Sequence, residues 1–205
     1  MAHKRDKIKK DKTLRDLESF VGIKASPSVF PHIPYSGKFR SQLVAQWILT
    51  NIPKASVADI GGGKGQLAYF LMQAGWSSTV IDPNKQDLLK KYTDVDSKKR
   101  IIIPEGVTVP NIQNPFEVEL GKDFDVLVGL HAHGSNAKII DAAEKYHKSF
   151  VLIPCCVIDE PFYPSKGVTW VVSLADYAMR KGFHISPFVV NFSGQNIGIY
   201  GVMSK

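Results

Sequence analysis

Val57-Ala58-Asp59-Ile60-Gly61-Gly62-Gly63-Lys64-Gly65-Gln66 decides the fold. Residues 55–60 are a short apolar run of strand length, and it ends in a cluster of glycines. A helical pattern starts at once over 66–74, with Leu67, Phe70 and Leu71 on one side and Gly75 closing it. Strand, glycine turn and helix together open a βαβ unit. Glycines at such a turn let the chain reverse sharply and let a ligand approach the main chain. The crevice beyond the carboxyl ends of the strands is where open α/β sheets bind ligands.

Outward from that turn the alternation continues. A second strand over 77–81 ends at Asp82, a helix is expected over 85–92, and a third strand lies within 100–109. A fourth strand covers 124–130, nearly unbroken in apolar residues, followed by a helix over 136–147 and a fifth strand over 150–153. A helix over 168–181 stops at Gly182, and two last strands, 183–192 and 197–203, flank Ser193-Gly194-Gln195-Asn196. Strands alternating with helices imply parallel pairing with right-handed crossovers. Continuous apolar strands imply a sheet covered on both faces, and the short last connection implies an antiparallel hairpin. The expected fold is α/β: a Rossmann-like, mostly parallel seven-stranded sheet with a C-terminal antiparallel hairpin and helices on both faces. Upstream, Leu43, Val44, Trp47 and Ile48 give 37–51 a helical face, and Thr13 with Asp16 resembles a capping box for a helix over 13–20. Between them 22–37, with Pro27, Pro31 and Pro34, reads as an extended loop.

The length of 205 residues suits one domain, over 13–205, behind a basic, disordered arm at 1–12. Lys4, Arg5, Lys7, Lys9, Lys10 and Lys12, against Asp6 and Asp11, place +4 of the net +7 in that arm. With a pI near 9.3 this fits a polyanionic partner, RNA first; a solubilising tail or a nuclear-import signal fits the same residues. The two cysteines, Cys155 and Cys156, are adjacent and cannot staple a fold, so a reducing, cytoplasmic setting is expected. No apolar run approaches the roughly 20 residues of a membrane span. A monomer or a dimer is expected.

Sheets of this kind divide by what the glycine loop holds. Dinucleotide enzymes place Gly-x-Gly-x-x-Gly under a pyrophosphate at the helix N-terminus. Here the spacing is Gly61-x-Gly63-x-Gly65, with Asp59 ahead of the first glycine. A carboxylate there repels a pyrophosphate and attracts a cationic amino acid moiety. S-adenosylmethionine (SAM) has that moiety and no phosphate. Asp82, at the end of the second strand, is placed to accept hydrogen bonds from both hydroxyls of a ribose.

On these residues the chain resembles the class I SAM-dependent methyltransferases. Their first motif, Asp/Glu-x-Gly-x-Gly-x-Gly, is matched by Asp59, Gly61, Gly63 and Gly65, and their second-strand acid by Asp82. The resemblance spans about residue 38 to the C-terminus, hairpin included. It implies SAM as cofactor, with Gly61, Gly62, Gly63 and Gly65 along its methionine part, Asp59 nearby and Asp82 on its ribose. The adenine contact follows the third strand, with Asn111 as a candidate. The alternative is a Rossmann-like domain for another nucleotide or none.

Methyl transfer from a sulfonium is an in-line displacement that holds acceptor and methyl about 3 Å apart and sometimes removes a proton. Catalytic candidates therefore belong at Gly129-Leu130-His131-Ala132-His133-Gly134 and Ile153-Pro154-Cys155-Cys156, where the fourth and fifth strands end. There the sequence is similar to a methyltransferase branch with Leu-His-x-Cys-Gly and Pro-Cys-Cys motifs, which includes tRNA ribose 2′-O-methyltransferases. It departs from the branch in having His133 for the cysteine and Ser135 for an acid, and it shows no zinc-binding module. His131 reads as a general base or as a wall of the SAM pocket. His133 reads as catalytic or as an exposed loop residue. Cys155 reads as a nucleophile of the pyrimidine C5 type, or with Cys156 as a packed strand end. A zinc site from His131, His133, Cys155 and Cys156 is disfavoured because consecutive residues of one strand point to opposite faces, so no metal is expected. The Asn/Asp-Pro-Pro-aromatic motif of amino-directed enzymes does not occur after the fourth strand. Lys38 and Arg40, with Tyr35 just before them, are candidates to hold a phosphate or the SAM carboxylate. Asn196 and Gln195 border the substrate side, as substrate contacts or as turn chemistry.

Three functions compete: an RNA methyltransferase acting on a ribose hydroxyl or a base, a small-molecule or protein methyltransferase, and a non-catalytic SAM-binding module. The intact Asp59, glycines and Asp82 argue against the last.

Overall fold

The computed structural model describes the backbone of residues 2–27 and 36–204 and the side chains of 11–27 and 36–204. Tyr35 and the middle of the 22–37 loop lie outside the described residues.

Seven strands form one sheet: β1 (Ser56–Ile60), β2 (Ser77–Ile81), β5 (Asn111–Ile112), β6 (Val126–Leu130), β7 (Ser149–Ile153), β8 (Phe183–Val189) and β9 (Ile197–Met203). Their spatial order is β5-β2-β1-β6-β7-β9-β8. All pairs are parallel as far as β7; β9 pairs antiparallel with β7 and with β8. This is the expected α/β architecture. Order reverses at β1, and the crevice between β1 and β6 opens above their carboxyl ends.

Side-chain alternation along the central strands builds two cores. Ala58, Ile60, Leu127, Phe150 and Leu152 face α1 (Ala2–Val21), α4 (Asn136–Tyr146) and α5 (Trp170–Arg180), which contribute Leu17, Ile139, Ile140, Leu174 and Ala178. Val57, Val126, Val128, Val151 and Ile153 face α2 (Arg40–Asn51) and α3 (Gln66–Gln73), which contribute Leu43, Trp47, Ile48, Leu67 and Leu71. Trp47 stacks on Phe188 of the hairpin with ring centroids 3.8 Å apart. α2 thus joins the glycine-loop face of the sheet to its hairpin edge.

Three departures from the sequence reading have physical causes. The third parallel strand is β5, two residues long, and not within 100–109. Residues Arg100–Ile102 form β4, which pairs with β3 (Lys91–Thr93) in a separate antiparallel ribbon, and Ile102 is exposed. No helix forms over 85–92: Leu88 and Leu89 are only half-buried, and so short a helix is marginal without an apolar face to bury. Finally, α1 begins at Ala2 and takes in the stretch read as a disordered arm. Its far half is anchored by fully buried Leu17, from which helical pairing propagates one bond per residue.

Candidate active site

The loop after β1 is shaped from below. Asp59 is buried, and its Oδ2 accepts a hydrogen bond from Ala68 N in the first turn of α3, 3.3 Å away. The carboxylate thus lies directly under the turn. A Cβ at Gly62 would stand 2.5 Å from Asp59 Oδ2, and one at Gly65 would stand 3.0 Å from Val80 Cγ2 at a φ of +68°. Burial, reinforced by Asp82, pushes the Asp59 carboxyl up to about 7, the bond from Ala68 only partly opposing it. Asp59 offers almost no surface, so it acts on a ligand through the loop it supports and through its charge.

Asp82 closes the second side. Its Oδ2 accepts from Gly63 N at 2.9 Å and its Oδ1 from Asn84 N at 2.8 Å, which ties the end of β2 to the glycine loop. Each oxygen keeps further acceptor capacity. Beside it a cavity of about 300 Å³ is lined by Gly63, Gly65, Val80, Gln86, Val109 and Asn111, among others. Asn111 Oδ1 is buried there with no hydrogen-bond partner. A buried acceptor left unpaired is costly, which marks the atom as one that a ligand donor would satisfy.

The loops after β6 and β7 carry the remaining candidates. Ala132 packs against Gly61, so the β6 loop touches the glycine loop directly. His131 sits at a φ of +58°, a conformation uncommon outside glycine and often found at functional sites. Two bonds hold it: its N–H donates to Ile153 O at 3.0 Å, and its Nε2 lies 2.8 Å from Gln195 O. A carbonyl only accepts, so Nε2 carries the proton and a neutral His131 presents Nδ1 as an acceptor. Burial holds the His131 pKa below its usual range, with Arg40 and His133 adding to the effect and the Gln195 bond opposing it. A neutral imidazole with one free nitrogen is what a general base requires.

His133 is exposed, and its Nε2 lies 2.9 Å from Cys155 Sγ, which in turn lies 3.4 Å from Cys156 Sγ. Burial, together with the hydrogen bond and charge of Cys156, pushes the Cys155 thiol up to about 11. A thiol held protonated is a poor nucleophile, which counts against the addition chemistry considered for it. The argument from strand alternation also fails here. β7 ends at Ile153, so Cys155 and Cys156 lie beyond the strand, and their sulfurs share one side.

Lys38 and Arg40 are exposed at the start of α2. Lys38 borders a cleft of about 330 Å³ that also contains Phe39, Lys91, Tyr92 and Arg100. Asn196 turns inward: its Nδ2 donates to Val190 O at 2.8 Å, so its amide closes the β8–β9 hairpin. Sequence reasoning missed Glu160. This buried acid accepts from Asn136 N at 2.9 Å, Asn136 Nδ2 at 2.6 Å and Ala137 N at 3.1 Å, capping α4 and fixing the loop that bears His131 and His133. Its partners lie 24 and 23 residues away in sequence, a distance over which capping leaves no local pattern. The Gln195 contact uses a main-chain carbonyl and leaves no residue signature at all.

The seven-stranded order with its reversed terminal hairpin is the Rossmann-like fold of the class I SAM-dependent methyltransferases. Among solved structures, magnesium protoporphyrin IX methyltransferase from Synechocystis with bound SAM superposes with a TM-score of 0.51 at 17% identity, over 82% of this chain and 79% of that one. A SAM-dependent methyltransferase from Archaeoglobus fulgidus superposes with a TM-score of 0.51 at 14% identity, over 80% of this chain and 96% of that one. At such identities the likeness is one of fold. No protein-family profile and no curated protein sequence matches the chain.

Proposed function

We propose that the chain is a SAM-dependent methyltransferase acting on RNA, at a ribose hydroxyl or a base. The observation that carries the cofactor is Asp82, at the carboxyl end of β2, tied to Gly63 N of the glycine loop with acceptor capacity to spare. The adjoining cavity and the unpartnered Asn111 Oδ1 suit a nucleoside. In this reading Asp82 holds the ribose, the main chain of Gly61–Gly63 receives the methionine part, and Asp59 supplies the charge that balances the sulfonium and ammonium. SAM supplies an electrophilic methyl. His131 Nδ1 takes the proton of an acceptor hydroxyl, while Gln195 O fixes the ring. RNA is favoured by the basic N-terminal helix and by the cleft that joins Lys38, Lys91 and Arg100 to the rings of Phe39 and Tyr92. Three cations around one cleft suit the phosphates of a nucleic acid. The similarity to the branch that includes tRNA ribose methyltransferases points the same way.

A second reading has its own observation. A cavity of about 570 Å³ lined by Pro154, Cys155, Thr169, Trp170, Gln195 and Ile197 has the volume of a small-molecule site.

Isothermal titration with SAM, and separately with NAD, tests the cofactor. SAM should bind in the micromolar range and NAD should not. Asp82→Ala should weaken SAM about 100-fold, given two hydroxyl hydrogen bonds to an ionised acceptor at about 1.5 kcal/mol each. Unchanged SAM binding in that variant sinks the assignment. RNA binding should weaken steeply with salt, and the slope should fall in a Lys38→Ala/Lys91→Ala/Arg100→Ala variant. A salt-insensitive or undetectable interaction hands the acceptor to the small-molecule reading.

A further inference from the structure

Beside the proposed methyl-transfer groups, the loops after β6 and β7 gather three soft or borderline donors for which methyl transfer has no use. His133, Cys155 and Cys156 each offer one ligand atom, and these atoms all lie within 4.8 Å of one another. From this geometry we propose that they form a binding site for a borderline-soft divalent cation of the zinc class, through His133 Nε2, Cys155 Sγ and Cys156 Sγ, with the fourth position left to an exogenous ligand.

The dimensions fit. Zinc binds thiolate sulfur at about 2.3 Å and imidazole nitrogen at about 2.0–2.1 Å, and tetrahedral angles then set sulfurs roughly 3.8 Å apart and nitrogen roughly 3.5 Å from sulfur. The sulfurs here are 3.4 Å apart, and His133 Nε2 is 2.9 Å from Cys155 Sγ. Each gap needs to open by about half an ångström, which side-chain rotation provides without moving the backbone. The donor set also discriminates. Two thiolates and an imidazole suit zinc and its soft neighbours and reject magnesium and calcium, which take oxygen. Three protein ligands with an open fourth position is the pattern of exchange-competent zinc sites.

Local structure prepares the trio. Both cysteines are free, and a disulfide between neighbours in sequence is strained, so the reduced pair persists. Buried Pro154 fixes the chain just before them, and the Glu160 cap on α4 fixes the loop that carries His133. Cys155 also lines the cavity of about 570 Å³, so an ion at this site is reached from that side by a water or by a donor atom of a small ligand. Binding forms two metal–sulfur bonds and one metal–nitrogen bond, and the two thiol protons leave to solvent. The site does not depend on SAM binding, so its failure and the failure of the methyltransferase reading are separate results.

The full-length, untagged protein, stripped of metal and kept reduced under argon, should be titrated with cobalt(II). One equivalent should produce thiolate-to-cobalt charge-transfer absorption of two-sulfur intensity together with tetrahedral d–d bands, and one equivalent of zinc should abolish both. Cys155→Ser and Cys156→Ser should each remove about half of the charge-transfer intensity. His133→Gln should keep that intensity and alter the d–d bands. Loss of an outer partner alone costs 10–100-fold in affinity, so each of these direct-ligand variants should weaken zinc at least about 100-fold in competition with a chromophoric chelator. Circular dichroism confirms that each variant remains folded. Absence of charge-transfer bands in the wild type overturns the proposal. So does zinc affinity that survives in the Cys155→Ser/Cys156→Ser double variant.

Discussion

Asp59→Asn should make the protein more stable at pH 8 and leave it nearly unchanged at pH 4. The carboxyl is buried beneath the glycine loop, and burial is the largest cause of its rise from the ordinary 3.8 to about 7. A folded-state pKa above the unfolded one contributes stability that is fully present below the unfolded value and lost as pH rises through the folded value. The window for Asp59 therefore runs from about pH 4 to about pH 7. At about 1.4 kcal/mol for each tenfold change in proton affinity, a rise from 3.8 to about 7 corresponds to a ceiling of about 4 kcal/mol. Asparagine mimics the protonated acid, since its amide oxygen can still accept from Ala68 N. Urea unfolding of both proteins at intervals from pH 4 to pH 8 isolates this residue. Glu18, Asp94 and Asp125, whose carboxyls are held below their usual range, affect both curves alike. The difference between the proteins should open with pH by up to about 4 kcal/mol and level off above pH 7. The same ionised carboxylate is what a bound sulfonium and ammonium would stabilise. SAM should therefore raise the melting temperature of the wild type at pH 8 more than that of Asp59→Asn. Parallel stability curves across the window would refute the argument that Asp59 stores an unfavourable charge under the loop.

Three further outcomes follow from other contacts. Glu160→Gln sets an amide NH₂ against a backbone N–H at one of the three capped donors of α4, and should cost about 2–3 kcal/mol in urea unfolding; a loss under 0.5 kcal/mol would mean the cap is ornamental. Leu17→Ala empties a fully buried position in α1 and should cost about 2–5 kcal/mol; a negligible change in urea unfolding would show that α1 does not dock on the sheet. If His131 is the general base, the methyl-transfer rate should fall with acid through a pKa below the usual histidine value and be flat at neutral pH, whereas an inflection above that value would contradict a buried, neutral imidazole.

The central sheet was legible because each of its strands states its own period. β1, β2, β6 and β7 are apolar runs bounded by turn residues, and their limits in the structure fall within two residues of those read from the sequence. The stretch 85–112 was not legible, for a reason its residues show. Its apolar side chains are spaced for neither period, and half of the ribbon's pattern, Arg100-Ile101-Ile102, is solvent-facing. β5 is only two residues, Asn111 and Ile112, held by Val80 N to Pro110 O and Asp82 N to Ile112 O. A strand so short is made by its neighbour's unpaired edge, which no local pattern announces.

The site divides along the same line between local and tertiary causes. The glycine loop and Asp82 could be read because a single segment must satisfy a single steric demand: at Gly62 the Asp59 carboxylate excludes a Cβ. The donors after β6 and β7 were seen as residue types, but their arrangement was misjudged by extending strand alternation past Ile153, where the strand has ended. Beyond that point Pro154 and the contacts of the β6 loop set the direction of each side chain. Two sulfurs that a strand would have held on opposite faces then come within 3.4 Å of each other, and one of them lies 2.9 Å from an imidazole nitrogen. Alternation is a consequence of ladder pairing, so it carries information only as far as the ladder does. At the carboxyl ends of a parallel sheet, where ladders stop and ligands bind, residue chemistry is readable in the sequence and geometry belongs to the loops.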